Sequence, residues 1–314
     1  MSHHCCVNSA PGNQREAFTR EAGRVPLSLV RLGTLRTDGA SRTVFLRDGR
    51  LASVQTSVPE LLGGGPEALR QAFESATELG SYDPSRLGPA VPNPGKVLCI
   101  GKNYADHVQE LGGTESPASP EVFIRSRTSL AGPYEPVPRP HVSQKMDWEV
   151  ELAVVIGRPG RYISPGRAGE HIGGFCIFHD ISFRDFQNLG SQWTPGKNFD
   201  RSGPLGPFVV TPDEVEDPFD LDLGCAIRQE DGGEETVQSS NTSLMVHRIP
   251  DLIAFLSRFT TLEPGDVIAT GTPGGVGFGR KPPVWLRPGQ TVVCRVEQLG
   301  ELKNQVVEEP PPSP

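Results

Sequence analysis

The stretch Asp147-Trp148-Glu149-Val150-Glu151-Leu152-Ala153-Val154-Val155-Ile156-Gly157 decides how the chain is read. Residues 152–156 form an uninterrupted apolar run of a strand's length. Strand side chains alternate faces, so Glu149 and Glu151 point one way and Val150 the other. Two carboxylates on one face, leading into a hydrophobic strand, repel each other and lose part of their hydration. A hard divalent ion bound through oxygen would offset both costs. An exposed strand end with two solvated acids is the other reading of the same spacing.

Outward from this strand the chain is rich in short strands. Residues 97–100, 174–178, 206–210, 222–228, 266–269 and 291–298 read as strands, and only 244–259, 168–172 and 103–111 as helical. With 36 glycines and 31 prolines in 314 residues, turns are frequent and long helices are not. The class expected is mostly β with some α (α+β), as a sandwich, barrel or rolled sheet. Nearer the N-terminus, 27–32, 43–46 and 50–54 are strand candidates with a turn at Arg47-Asp48-Gly49, and 66–75 is a short helix. The proline-rich stretch 83–94 separates the two parts. The organisation expected is a disordered leader over 1–24, a small β-rich domain over 25–92, a catalytic domain over 93–307 and a disordered tail over 308–314.

Composition excludes several functions. With 30 basic and 38 acidic side chains, the net charge of −8 argues against nucleic-acid binding and against a polybasic membrane surface. No apolar run is long enough to span a bilayer, and the N-terminus has no signal-type apolar core. None of the six cysteines forms a CxxC pair, so they read as reduced thiols of a cytoplasmic protein. His3-His4 with Cys5-Cys6 could hold a stray metal ion, but a mobile tail makes a poor site.

Four further stretches carry chemistry. His179-Asp180-Ile181-Ser182-Phe183-Arg184-Asp185-Phe186-Gln187 ends a strand. If it then turns helical, Arg184 and Gln187 share a face with Asp180; a capped helix with a surface ion pair is the plainer alternative. Lys197, in Gly196-Lys197-Asn198, stands out because the chain has six lysines against 24 arginines. Thr272 lies in a glycine-rich loop (Gly271-Thr272-Pro273-Gly274-Gly275) whose N–H groups and hydroxyl could hold a carboxylate or phosphate, although no nucleotide P-loop pattern is present. In Gly101-Lys102-Asn103-Tyr104-Ala105-Asp106-His107-Val108-Gln109-Glu110, His107 and Glu110 are helical neighbours. They make either a general base with its orienting acid or an ordinary surface pair. Gly101, Gly112 and Gly113 flank that segment as a lid's ends would.

Taken in order, these five stretches, with Leu262-Glu263-Pro264-Gly265-Asp266 before the Thr272 loop, resemble the fumarylacetoacetate hydrolase family over residues 96–307. The resemblance implies a rolled mixed β-sheet and a magnesium or manganese ion, sometimes calcium. It puts the metal ligands on Glu149, Glu151 and Asp180. It puts substrate-binding roles on Arg184, Gln187 and Thr272, and catalytic roles on Lys197 and on a water-activating pair, His107 and Glu110. It further implies a homodimer acting on a small 2-oxo acid. The leading expectation is a hydrolase that cleaves a carbon–carbon bond of an acylpyruvate-type 2-oxo acid through an enolate. A 2-oxo-acid decarboxylase and a muconate-like dioate isomerase share that enolate, and a metal-binding subunit without activity is the alternative of another class. The chain departs from the family pattern at Arg125-Ser126, where Lys-Pro is usual, at His179, and in the acidic loop 230–235. His179 adjoins a ligand position and is read as orienting it, with simple packing as the alternative.

Overall fold

The computed structural model describes residues 30–37 and 40–311. The leader expected over 1–24, with His3, His4, Cys5 and Cys6, lies outside the described residues. Three sheets are built from short strands, with short helices between them, as the sequence suggested.

The largest sheet has eleven strands. Its centre runs Gly203–Val210, Ile172–His179, Val150–Ile156, Val267–Ala269, Val97–Gly101 and Glu121–Arg125. Neighbours are antiparallel except Val267–Ala269 with Val97–Gly101, so the sheet is mixed. On its other side the sheet continues through Arg31–Thr37, Ala40–Arg47, Arg50–Val54 and Thr77–Gly80. The junction is the pairing of Arg31 with Val210, so the N-terminal strands extend the sheet that carries the acidic residues. A second sheet of five strands contains Asp222–Arg228 and Thr291–Val296 at its centre.

The central strand Val150–Ile156 is buried along its whole length. Val150, Leu152, Val154 and Ile156 pack with Cys225, Ile227, Val292 and Cys294 of the five-stranded sheet. Ala153 and Val155 face a second core with Leu32, Phe45, Val58, Leu61 and Leu62 of the N-terminal segment. Burial on both faces explains why this strand reads as a continuous apolar run. Glu149 and Glu151 precede Ala153 and Val155 on that second face.

Some elements differ from expectation. The helix expected over 244–259 is Ile249–Leu256, because Pro250 lacks an N–H and fits only the first turn. Val58–Gly63 is a helix the sequence reading passed over, although Ser57 and Glu60 form a capping box at its start. The strand Glu234–Asn241 was also missed; it is a polar edge strand with no alternating pattern.

Gly157 and Gly173 close the far end of the two strands that carry the acids. A Cβ on Gly173 would lie 2.9 Å from the Gly157 Cα and 3.0 Å from its N, both backbone atoms that cannot turn aside. Gly173→Ala is expected to destabilise the fold by about 1–3 kcal/mol, the usual cost of overpacking, as a shift in the urea midpoint.

Candidate active site

Strand register brings the acids together. Val150 pairs with His179, and the Asp180 N–H donates to the Glu149 carbonyl at 2.9 Å. Glu149 and Asp180 therefore sit side by side, with Glu151 one pleat along. Ligand oxygens of Glu149, Glu151 and Asp180 lie within 4.8 Å of one another, and all three residues are buried.

Three buried cations compensate them. Lys197 Nζ donates to Glu149 Oε2 at 2.7 Å and to Asp180 Oδ2 at 2.6 Å. Arg184 Nη2 pairs with Glu149 Oε1 at 2.7 Å, and Arg125 Nη1 pairs with Asp180 Oδ1. Arg184 is itself fixed by Asp147, whose Oδ2 accepts from Nε at 2.8 Å. The Asp147 carboxylate also accepts from the N–H groups of Gly277 and Phe278, at 2.7 and 2.9 Å.

These partners set the protonation of the acids. Burial works to raise the Glu149 carboxyl, but Lys197 and Arg184 outweigh it and hold the group well below the usual carboxylate range. Glu151 goes the other way: burial first, then the charges of Asp180 and Glu149, push it well above its ordinary value. Its one hydrogen bond among the described residues is from the Gly271 N–H to Oε2 at 2.9 Å. A divalent cation would relieve this cost, and three hard oxygen donors suit magnesium, manganese or calcium. The donor set therefore fits a divalent metal ion.

The remaining candidates gather around the same cavity. It measures about 40 Å³ and is lined by His107, Glu149, Glu151, Asp180, Arg184, Gln187, Lys197 and Thr272, among others. Glu110 stands behind His107, with Oε2 3.5 Å from Nδ1. The short helix Ala105–Glu110 is docked onto the glycine-rich loop: the Gly275 N–H donates to Glu110 at 3.0 Å, and the Gly274 N–H donates to Asp106 at 3.2 Å. Gln187 Oε1 accepts from Arg184 Nη1 at 2.9 Å. The side-chain amide of Gln238 donates to Thr272 Oγ1 at 2.9 Å, and its oxygen accepts from the Val150 N–H at 3.0 Å. Trp193 leans on Gly101, where a Cβ would meet its ring at 2.2 Å, and contacts Phe123 edge to face.

His179 does not orient Asp180 through a hydrogen bond. Both ring nitrogens are buried without a partner among the described residues, and burial, then Arg125, pushes its pKa down to about 3. It packs as a neutral ring. Sequence reading also missed what Arg125, Asp147, Gln238 and Asp106 do. Asp147 and Asp106 lay inside quoted stretches; Gln238 had no local signal.

Residues 96–307 match the family model described as fumarylacetoacetate (FAA) hydrolase C-terminal. The chain belongs to the fumarylacetoacetate hydrolase family. It is 48% identical over 219 residues to the mitochondrial oxaloacetate tautomerase FAHD2A of Homo sapiens, covering 69% of this chain and 68% of that protein. Among solved structures it resembles the fumarylacetoacetate hydrolase of the psychrophile Exiguobacterium antarcticum, at 36% identity and a TM-score of 0.76 over 89% of this chain and 100% of that one. It also resembles a 5-carboxymethyl-2-hydroxymuconate delta-isomerase from Mycobacterium smegmatis, at 34% identity and a TM-score of 0.70, again over 89% and 100%. The family's members thus include tautomerases, isomerases and hydrolases.

Asp147→Asn keeps the shape but turns an N–H₂ toward the groups that the carboxylate now accepts from. It removes the Asp147 charge from Arg184 and leaves either Arg184 or the Gly277 N–H facing a donor. Breaking a buried pair costs about 3–5 kcal/mol, so this variant is expected to lose stability on that scale in denaturant titration.

Proposed function

We propose that the protein is a divalent-metal-assisted enzyme that enolises a short 2-oxo acid, and that its reaction is keto–enol tautomerisation of a four-carbon 2-oxo dicarboxylate of the oxaloacetate type. The observation that carries this reading is the buried oxygen triad, bordered by Lys197 and Arg184, in one small cavity with His107. The name of the human relative supports the same choice.

A divalent ion held by Glu149, Glu151 and Asp180 would polarise the 2-oxo group and acidify the neighbouring C–H. The chain's residues then divide the remaining work. Lys197 and Arg184 place fixed positive charge beside the substrate's carboxylate and oxo oxygens and stabilise the enolate as it develops. The Thr272 hydroxyl accepts from Gln238, so its own proton is free to donate to a substrate oxygen. His107 takes a proton from the carbon beside the ketone, and Glu110 steadies the imidazolium from the Nδ1 side. The imidazolium then gives that proton to the enolate oxygen, so atoms balance without water and His107 returns to its neutral form. Gln187 holds the guanidinium plane of Arg184.

Hydrolysis of an acylpyruvate is the second reading, because the same His107–Glu110 pair could activate a water. The two readings differ in what His107 takes its proton from, a substrate carbon or a water, and the relative's name favours the first. Lys197 carries the charge argument for either reaction: burial lowers its pKa, yet Asp180 and Glu149 raise it further, and it stays an ammonium. We further propose a homodimer in a reducing compartment, the cytoplasm by the sequence reading. Cys99, Cys176, Cys225 and Cys294 support that compartment by being buried and free. No helix among the described residues is long and apolar enough to cross a membrane.

The test is to follow loss of enol absorbance from freshly dissolved oxaloacetate with magnesium-loaded protein, beside cleavage of acetylpyruvate. Tautomerisation is expected to dominate, and His107→Ala to slow it by about 10²–10⁴-fold, the scale of a positioned base. Unchanged tautomerisation in His107→Ala would remove the base assignment. Rapid acetylpyruvate cleavage without tautomerisation would favour the hydrolase.

A further inference from the structure

Glu149 and Asp180 each place one oxygen on an arginine and the other on Lys197, whereas Glu151 has one oxygen on a backbone N–H. Asp180 gives Oδ1 to Arg125 and turns Oδ2 to Lys197. Glu149 gives Oε1 to Arg184 and turns Oε2 to Lys197. Glu151 gives Oε2 to the Gly271 N–H and makes no other hydrogen bond among the described residues. Two of these locks come from a cation already placed at the substrate and from backbone. The third comes from Arg125, which neither the sequence reading nor the proposed mechanism uses.

Arg125 is built in rather than merely near. Its side chain is fully buried, and Nη2 donates to Ser202 Oγ. Nε donates to Ser129 Oγ at 3.3 Å, Nη1 reaches the Ile181 carbonyl at 3.4 Å, and the guanidinium lies 5.4 Å from the Phe178 ring centre. A planar guanidinium can reach Asp180, Ser202 and Ser129 at once; a lysine ammonium on a flexible stem has no such fork.

Resting on the metal reading above, we propose that Arg125 is a positioning residue that makes Asp180 a one-oxygen donor and so biases the site toward a small octahedral ion, magnesium or manganese, against calcium. Magnesium takes six ligands in near-ideal octahedral geometry, which one-oxygen carboxylates satisfy. Calcium takes six to eight oxygens and commonly recruits both oxygens of a carboxylate. Freeing Asp180 Oδ1 would give calcium an additional oxygen and do little for manganese.

The experiment measures manganese binding by the paramagnetic resonance of the free ion, with calcium as competitor, on the full chain. The wild type is expected to bind one manganese per chain, with calcium a poor competitor. Arg125→Gln should narrow the calcium-to-manganese ratio of dissociation constants by at least about tenfold, with Arg125→Lys between the two. A purely structural role would weaken both ions together and leave the ratio alone. An unchanged ratio in folded Arg125→Gln overturns the proposal. If that variant does not fold, the ratio in Arg125→Lys decides: narrowed supports it, unchanged overturns it. A wild type that prefers calcium overturns it while leaving the metal site standing. A wild type that binds neither ion removes the metal reading itself.

Discussion

Four carboxylates and three cations share one buried cluster, and the rest of the site depends on how they are balanced. Asp147, Glu149, Glu151 and Asp180 face Arg125, Arg184 and Lys197. All seven are buried. Burying charge is tolerable only where each group is paired and hydrogen-bonded. Every member here has a partner at ion-pair or hydrogen-bond distance, but among the described residues Glu151 has only a backbone N–H. That leaves one acid short of positive charge, at the place where the oxygens converge. With Glu151 ionised, as a bound cation would hold it, a divalent ion would turn the small negative excess into a small positive one, and a dianionic 2-oxo acid would turn it back. The cluster is thus suited to hold an ion and an anionic substrate together.

The fold exists, in functional terms, to hold that cluster dry on one side and reachable on the other. The strands Val150–Ile156 and Ile172–His179 are pinned at one end by the Gly157–Gly173 contact and carry the acids at the other. The N-terminal strands and helices pack on Ala153 and Val155, the continuation of the face on which Glu149 and Glu151 lie. The glycine-rich loop after Val267–Ala269 serves three partners: Gly271 holds Glu151, Thr272 meets Gln238, and Gly274 and Gly275 hold the helix of His107. The loop therefore couples the position of the base to the position of the acids, and movement of the His107 helix has to break hydrogen bonds to both Asp106 and Glu110.

Local patterns made part of this legible. Strands buried on both faces appear as apolar runs, so 97–100, 149–156 and 174–178 were readable, whereas the polar edge strand Glu234–Asn241 was not. The strand Arg31–Thr37 continues past the expected 27–32, of which 27–29 lie outside the described residues; Gly33, which interrupts the apolar pattern, is where the Phe208 ring packs. The nine candidate residues were found from short stretches, and eight of them line one cavity with Glu110 behind His107. The supporting groups were harder. Arg125 reaches Asp180 across 55 positions, Asp147 reaches Arg184 across 37, and Gln238 reaches Val150 across 88. No periodicity encodes such contacts, and only the folded register reveals them.

The central claim is that the converging oxygens of Glu149, Glu151 and Asp180 form a divalent-ion site. Calorimetric titration of magnesium or manganese into wild type and Glu151→Gln tests it most directly. The substitution preserves size and the acceptor for Gly271 while removing the least compensated charge. The account requires one ion per chain in the wild type and loss of that binding in Glu151→Gln, with the fold retained. Equal affinity in the two proteins would contradict it.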